Sequence, residues 1–125
     1  MGRVVHFEIH CSDTDRAERF YRDVFDWAIQ RYEGAPVDYR LITTGPAGEP
    51  GIDGALVERT SEAGGEAILA YVCTVQVDDL ADIQRRVAAG GGQEVHAPDD
   101  VPGVGRLAYF RDTEGNLFGA LQPAS

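Results

Sequence analysis

The sequence predicts an α+β fold of two tandem modules, each with the order β-α-β-β-β, whose curved mixed sheets surround a pocket. Two observations carry this prediction: an alternating strand followed by a capped amphipathic helix occurs twice, and three short strand-like segments follow each helix. A length of 125 residues fits one domain. We therefore predict a single domain over residues 1–125, with module one at about 1–60 and module two at about 67–123.

The first module begins with a strand in which apolar and polar side chains alternate from Val4 to Cys11. Ser12 or Asp13 is the predicted N-cap of a helix that ends at Phe25, with apolar residues at helical spacing. The remaining strands of this module are predicted over residues 28–32, 38–44 and 52–59.

The second module repeats this order after a polar linker at Thr60–Glu66. A strand at 70–77 leads to a helix capped by Asp78 or Asp79 and ended by Gly90. Short strands are predicted over residues 93–96, 106–111 and 116–122. Residues 99–105 are predicted to be a loop, and the stretch Pro102–Arg106, which runs into the next strand, is expected to act as a flap at the pocket mouth.

The first strand places His6, Glu8 and His10 on the face that points away from the helix. Aligning the leading strands of the two modules puts three less polar side chains at the same positions, namely Val72, Thr74 and Gln76. One interpretation is a pocket wall on which His6 or Glu8 acts as an acid or base. The alternatives are a solvated sheet face or a His–Glu pair satisfied within the fold.

The composition excludes several classes of function. The net charge of −10 and the lack of a basic cluster argue against binding to nucleic acid or to an anionic membrane surface. All eleven basic side chains are Arg, so Schiff-base chemistry on a lysine and a P-loop lysine are excluded. The N-terminus has no long apolar signal region, and we expect a cytoplasmic protein.

Two further sets of side chains are predicted to be structural. Cys11 and Cys73 lie far apart, fit no metal-binding or redox spacing, and are expected to be reduced and buried. Four aromatic residues are expected to pack in the core, with a dimer interface as the alternative for the last of them: Phe20, Tyr21, Phe25 and Trp27.

Three stretches of the sequence resemble the vicinal oxygen chelate superfamily, which includes glyoxalase I, bleomycin-resistance proteins and extradiol dioxygenases. They are His6–Ile9 followed by Asp15–Tyr21, then Val77–Asp79, then Tyr109–Gly119. The resemblance implies the two-module fold over nearly the whole chain, a small-molecule ligand and a homodimer. Because this fold carries several chemistries, the resemblance is weak evidence for any one reaction.

In metal-dependent members, as the resemblance implies, the first and last strands of each module supply one ligand each. Those positions match His6, Glu58, Val72 and Gly119 in this sequence. Neither Val72 nor Gly119 has a side chain that binds a metal, whereas catalytic metals typically keep three protein ligands. We therefore predict no metal and no other cofactor, and we expect His96 to be an exposed strand-end residue.

The resemblance and the residues together predict a small-molecule-binding protein that lacks the full metal-ligand set. It would act by sequestration or as a lyase or isomerase in which His6 or Glu8 moves a proton. One alternative is a metal-dependent glyoxalase or dioxygenase with ligands from a partner chain or unconventional positions. Another is a non-catalytic ligand-sensing module. The predicted pocket residues are His6, Glu8, His10, Tyr39, Glu58, Val72, Thr74, Gln76 and Gly119.

Overall fold

A computed structural model describes residues 2–59 and 70–125 of the chain. The chain divides into two compact units, which are described separately. The N-terminal unit comprises His6–Tyr71, and the C-terminal unit comprises Met1–Val5 with Val72–Ser125. The predicted linker Thr60–Glu66 lies outside the described residues.

The N-terminal unit contains a helix on a mixed four-stranded sheet. Its elements are β1 (Arg3–Cys11, of which the first three residues belong to the C-terminal unit), α1 (Thr14–Phe25), β2 (Ala28–Arg31), β3 (Tyr39–Thr43) and β4 (Asp53–Glu58). The strand order is β2-β3-β4-β1, and the β1–β4 pair is parallel whereas the other two pairs are antiparallel. A parallel β1–β4 pair requires the intervening chain to cross over, which places α1 on one face of the sheet.

The boundaries of α1 follow from its capping residues. Asp13 is the N-cap, and its carboxylate accepts a hydrogen bond from the Arg16 amide at 3.0 Å. Asp26 ends the helix in the left-handed conformation, with φ of 57°, and its amide donates to the Arg22 carbonyl. Of the two N-caps that the sequence left open, Asp13 is therefore the one used.

The core of the N-terminal unit lies between α1 and its sheet. It contains the odd-numbered residues of β1 and three residues from the neighbouring strands: Phe7, Ile9, Cys11, Ile29, Ile42 and Leu56. Ala17, Tyr21 and Trp27 pack against this cluster. The alternation predicted for the first strand thus assigns the odd positions to the helix side, as expected.

The C-terminal unit has the same order of elements. It contains β5 (Tyr71–Gln76, whose first residue belongs to the N-terminal unit), α2 (Leu80–Ala89), β6 (Gln93–Val101), β7 (Gly105–Arg111) and β8 (Leu117–Pro123). The strand order is β5-β8-β7-β6, with β5 and β8 parallel. Val77, Leu80, Ala108, Phe110 and Ala120 form its core under α2, which Asp79 caps. The predicted α+β class and the β-α-β-β-β order of each module are confirmed.

Three predictions of local structure are wrong. Residues 99–101 belong to β6, which pairs with β7 as far as Val101 opposite Gly105, so only a tight turn remains where a loop was expected. Polar side chains are tolerated in β6 because it is an edge strand of this unit and is largely exposed. His96 is exposed, as expected, but lies inside β6 rather than at its end. Cys73 is free but exposed, whereas Cys11 is free and buried.

The aromatic residues of α1 also depart from the prediction. Phe20 and Phe25 are 56% and 55% exposed and are therefore not core residues. Tyr21 and Trp27 are partly buried against the core, as expected. Both side chains lie in the C-terminal half of α1, and the sheet beneath the helix leaves more than half of each exposed. The helices in the described part of the chain are α1 and α2, and neither is long and apolar enough to span a membrane.

Candidate functional site

The candidate site lies on the polar face, which we define as the side of the N-terminal sheet that points away from α1. Since Phe7, Ile9 and Cys11 pack towards α1, the even-numbered residues His6, Glu8 and His10 lie on the polar face. The register of the neighbouring strands adds further residues to this face, among them Asp53 opposite His6, Val57 opposite His10, and Tyr39 opposite Val57.

The Tyr39 hydroxyl joins His6 to Glu8. It donates a hydrogen bond to Glu8 Oε2 at 2.8 Å and lies 3.0 Å from His6 Nε2. Glu8 is only 5% exposed, so its carboxylate is held in place by buried polar contacts rather than by bulk water. Tyr39 comes from β3, two strands away from β1 in this sheet. The polar face therefore contains a connected His6–Tyr39–Glu8 network.

The direction of these hydrogen bonds assigns the His6 tautomer. The Tyr39 proton is directed at Glu8, so the contact with His6 requires Nε2–H to donate to the Tyr39 oxygen. In the neutral ring the other nitrogen, Nδ1, is then the basic one. Burial lowers the pKa of His6, an effect only partly offset by the charges of Glu8 and Asp53. At neutral pH the ring is consequently a neutral base rather than an imidazolium.

His10 is the most unusual member of the polar face. Both of its ring nitrogens are buried, and neither forms a hydrogen bond with a residue in the described part of the chain. Burial lowers the pKa of His10; the Glu8 charge opposes this and the Arg59 charge adds to it. Arg59 donates to the His10 carbonyl oxygen at 2.9 Å, which fixes the backbone but leaves the ring unused. A bound polar molecule would supply the partner that such a ring normally requires.

Glu58 does not lie with the other predicted pocket residues of the first module. It is opposite Cys11 in the β1–β4 register, and Cys11 is on the helix side of the sheet. Its carboxylate instead accepts a hydrogen bond from the Asp38 amide at 3.3 Å. A shift of one residue along a strand reverses the face, which is why Val57 rather than Glu58 is on the polar face.

Asp53 is a further acidic residue on the polar face, and the sequence alone did not indicate it. It is opposite His6 in the register, and its negative charge partly offsets the lowering of the His6 pKa by burial. Its Oδ1 also accepts from the Thr44 amide at 2.8 Å, which holds the carboxylate at the start of β4. Alternation in β4 alone could not have identified it, because the pairing partner of each β4 residue depends on a parallel register that the sequence does not reveal.

The predicted residues of the second module lie in the C-terminal unit. Val72 and Thr74 are buried and Gln76 is exposed. Thr74 is opposite Gly119, and a Cβ at Gly119 would lie 3.1 Å from Thr74 Oγ1 and 3.3 Å from the Tyr109 ring. Tyr109 was not predicted from the sequence. That these residues line the same site as His6 stays a prediction.

The residues at the family's metal positions do not fit a metal centre. Val72 and Gly119 offer no donor atom, and Glu58 lies on the opposite face from His6. Among the residues that the structure describes, no group of three or more His, Cys, Asp and Glu side chains is arranged to hold a metal ion. No step of the proposed chemistry is therefore assigned to a metal.

Comparison with known proteins identifies the family. Residues 3–119 match the model of the Glyoxalase/Bleomycin resistance protein/Dioxygenase superfamily. A glyoxylase-like domain-containing protein from Didymella fabae is 29% identical over 117 residues, covering 92% of this chain and 89% of that protein. A putative glyoxylase from Mycobacterium tuberculosis (strain CDC 1551 / Oshkosh) is 44% identical over 48 residues, which is 38% of this chain but only 18% of that protein.

A solved structure shows the same fold. Methylmalonyl-CoA epimerase from Mycobacterium tuberculosis superposes with a TM-score of 0.67 at 18% identity, covering 98% of this chain and 88% of that chain. An identity this low supports similarity of fold and nothing finer. Together with the family match over nearly all of its length, this likeness establishes that the chain belongs to the Glyoxalase/Bleomycin resistance protein/Dioxygenase superfamily.

Proposed function

We propose that the protein binds a small polar molecule on the polar face and transfers a proton there, as a lyase or isomerase that uses side chains rather than a metal. The observation that carries this proposal is the His6–Tyr39–Glu8 network with its buried carboxylate. A half-buried base that is linked through a hydroxyl to a buried carboxylate is an arrangement suited to general acid–base catalysis, because the carboxylate orients the base.

The proposed chemistry uses the His6 ring as the base. Nδ1 takes a proton from a carbon next to a substrate carbonyl, which makes the ring an imidazolium. The positive ring then donates more strongly through Nε2–H to Tyr39, and the Glu8 carboxylate stabilises that charge through the Tyr39 hydroxyl. Return of the proton from Nδ1 to a neighbouring substrate atom completes an isomerisation. His10 donates or accepts a hydrogen bond to the bound molecule.

The ligand class, the location and the oligomeric state of the protein are part of the proposal as well. The family match supports a small-molecule partner, and a methylmalonyl-CoA epimerase with a similar fold has been solved in complex with methylmalonyl-CoA. We propose that the ligand of this chain is a small molecule that bears a carbonyl group. We also propose that the protein is cytoplasmic and homodimeric, and that it binds neither nucleic acid nor a membrane surface. The acidic net charge supports the proposed absence of binding to nucleic acid and to a membrane surface.

Deuterium exchange tests the proposal directly. The purified protein is incubated in D2O with dihydroxyacetone, with the hemithioacetal of glutathione and methylglyoxal, and with a short acyl thioester, and proton loss next to each carbonyl is followed by NMR. We expect exchange with at least one probe, and we expect His6→Gln and Glu8→Gln each to slow it about 100-fold or more. His96→Gln on β6 is the matched control and should keep the wild-type rate.

Each outcome separates the alternatives. Exchange that survives in His6→Gln and Glu8→Gln would show that the polar face is not the catalytic site. Exchange that depends on an added divalent metal and disappears with a chelator would replace the proposal by the metal-dependent alternative. If no probe exchanges but a probe raises the thermal midpoint only when His6 and Glu8 are intact, the protein binds without catalysis, which overturns the enzyme proposal and supports sequestration or sensing.

A further inference from the structure

A cavity, which we call the α2 cavity, lies between α2 and the sheet of the C-terminal unit. Its volume is about 270 Å³. Six apolar residues line it: Val75, Val77, Ile83, Val87, Phe118 and Ala120. Val77 and Ala120 belong to the buried core under α2, and the other four are partly buried against that core. The α2 cavity is therefore an apolar recess that reaches from the core to the surface.

The helices of the two units differ in the size of the side chains that fill this space. Each helix begins after an N-cap aspartate, and the two caps lie 66 positions apart (79 − 13). At that offset Val87 of α2 corresponds to Tyr21 of α1. Tyr21 packs against the N-terminal core and stacks on Trp27, with 5.1 Å between the ring centres. The C-terminal unit has a valine, followed by glycine at residues 90–92, where the N-terminal unit has this aromatic pair.

A second difference in size lies on the sheet. Ala120 is opposite Val75 in the parallel β5–β8 pair, and Leu56 is opposite Ile9 in the corresponding β1–β4 pair. Both Ala120 and Leu56 are fully buried. Alanine in place of leucine therefore enlarges the inner end of the α2 cavity. A space left by smaller side chains stays open because the surrounding structure relaxes only partly.

The size and lining of the α2 cavity limit what it can hold. A dry apolar cavity of roughly 150 Å³ holds one benzene ring, so this larger cavity has room for an apolar body of about ten carbon atoms. The lining favours an aromatic or alkyl body, because contact with it removes apolar surface from water. A sugar or a peptide group would lose its hydrogen bonds with water and find few partners here.

Arg86 adds a positive charge to the lining of the α2 cavity. Its side chain is 63% exposed, and its guanidinium lies 2.9 Å from the Asp82 carboxylate. Arg85 lies 3.2 Å from the same carboxylate. With two arginines and one aspartate, α2 has a net charge of +1 on a chain whose net charge is −10. An anion can therefore pair with Arg86 while Asp82 keeps Arg85 as its partner.

We propose that the α2 cavity binds an amphiphilic carboxylate, with its apolar body under α2 and its carboxylate on Arg86. This site goes beyond the proposed function. His6, Glu8 and His10 belong to the N-terminal unit, whereas the α2 cavity belongs to the C-terminal unit and lies on the helix side of its sheet. Binding in the α2 cavity therefore does not require the His6–Tyr39–Glu8 network.

Calorimetric titration of the full chain with simple carboxylates tests the proposal. Naphthoate should bind at least tenfold more tightly than benzoate, because its second ring fills space that a single ring leaves empty. Naphthamide, which has the same rings but no charge, should bind about threefold more weakly than naphthoate. Decanoate has an alkyl body of similar size, and the tighter binder of naphthoate and decanoate assigns the body as aromatic or alkyl.

Two variants on one turn of α2 test the role of the charge. Arg86→Gln should weaken naphthoate binding about threefold, and Asp82→Asn should tighten it by a similar factor, because Asp82 competes for Arg86. Loss of folding would not produce opposite effects. Arg106→Gln, which changes an exposed ion-paired arginine on β7, is the matched control and should leave the affinity unchanged. His6→Gln should also leave it unchanged, which separates this site from the polar face.

Filling the α2 cavity tests its location. Val87→Phe places a ring where Tyr21 lies in the N-terminal unit, so it should weaken naphthoate binding at least tenfold without lowering the thermal midpoint. Val104→Phe adds the same bulk at an exposed position on the β6–β7 turn and should bind as the wild type does. Methyl NMR of the wild type needs no variant, and the Val75, Ile83 and Val87 signals should shift on titration.

The proposal fails on any of three results. Naphthoate and decanoate that bind no more tightly than benzoate would show that the α2 cavity does not take up an apolar body. Unchanged affinity in both Arg86→Gln and Asp82→Asn would rule out the carboxylate contact. Methyl shifts confined to residues outside the α2 cavity, or binding lost in His6→Gln, would show that the carboxylates bind elsewhere.

Discussion

At the scale of single residues, the hydroxyl of Tyr39 is the most consequential group on the polar face. It is the atom through which the neutral ring of His6 and the buried carboxylate of Glu8 influence one another. The sequence indicated His6 and Glu8 by strand alternation, and it named Tyr39 only as a possible neighbour. The hydrogen bonds follow from the placement of β3 two strands away in the sheet, which no local pattern encodes.

Removing that hydroxyl should cost stability. We expect Tyr39→Phe to lower the free energy of unfolding by about 1–2 kcal/mol, because the buried Glu8 carboxylate and the His6 ring both lose a partner. Urea denaturation measures the change. Tyr32→Phe, whose ring lies 6.3 Å from that of Tyr39, is the control and should change it by about 0.5 kcal/mol or less. Equal losses in the two variants would contradict a special role for the Tyr39 hydroxyl.

The same scale shows why Glu58 was placed wrongly with the pocket. The sequence located β4 to within one residue, but a single step along a strand exchanges the two faces. The parallel register with β1 sets Asp53, and not Glu58, on the side of His6. Strand existence is a local property, whereas register depends on contacts that are distant in sequence.

At the scale of elements, α1 is attached to β3 by an ion-pair cluster around Arg40. The Arg40 side chain is 10% exposed and its guanidinium contacts three carboxylates, those of Asp38, Glu18 and Asp15, at 2.8–3.1 Å. The Arg40 side-chain hydrogen bond holds the pKa of Asp38 well below its ordinary value. A charged residue is tolerated at this position on the helix side of β3 because α1 presents the acidic side chains of Asp15 and Glu18 there.

Breaking this ion-pair cluster should lower the free energy of unfolding more than breaking an exposed ion pair does. We expect Arg40→Met to lower the free energy of unfolding by about 2–4 kcal/mol, since it leaves partly buried carboxylates without their cation. Arg85→Met, which removes an exposed ion pair with Asp82 on α2, should cost about 0.5 kcal/mol or less. Thermal or urea unfolding of the two variants compares them. A loss for Arg40→Met no larger than for Arg85→Met would mean that the cluster does not hold α1 to β3.

Gly54 illustrates a second element-scale requirement. In the structure a Cβ at this position would lie 2.5 Å from the Phe7 carbonyl oxygen and 2.7 Å from the Phe7 ring. Glycine is therefore needed so that β4 and β1 can approach each other while Phe7 packs towards α1.

At the scale of the whole molecule, the half-buried histidines His6 and His10 link stability to pH. Burial lowers the pKa of both His6 and His10 in the folded chain from the ordinary value of 6.5. Below that pH the unfolded chain binds more protons than the folded chain, so protonation favours unfolding. Their contribution to stability is complete above about pH 6.5 and is lost as the pH falls from there towards the folded-state pKa values.

Urea unfolding at several pH values checks this dependence. We expect the wild-type free energy of unfolding to fall between about pH 7.5 and about pH 5.5, and the His6→Gln/His10→Gln double variant to fall less over the same interval. His96→Gln, at an exposed position, should follow the wild type. A double variant with the full wild-type slope would show that other groups cause the acid sensitivity.

By itself, the sequence determined the α+β class, the β-α-β-β-β order of each module, the position of both helices and the polar character of one face of β1. These follow from alternation, helical spacing and capping, which are local properties of the chain. The tertiary structure alone decided that Tyr39 joins His6 to Glu8, that Asp53 replaces Glu58 beside them, and that Phe20 and Phe25 are left exposed. Register, the pairing of strands distant in sequence, and the extent to which a helix is covered depend on how elements pack, and no window of sequence contains that information.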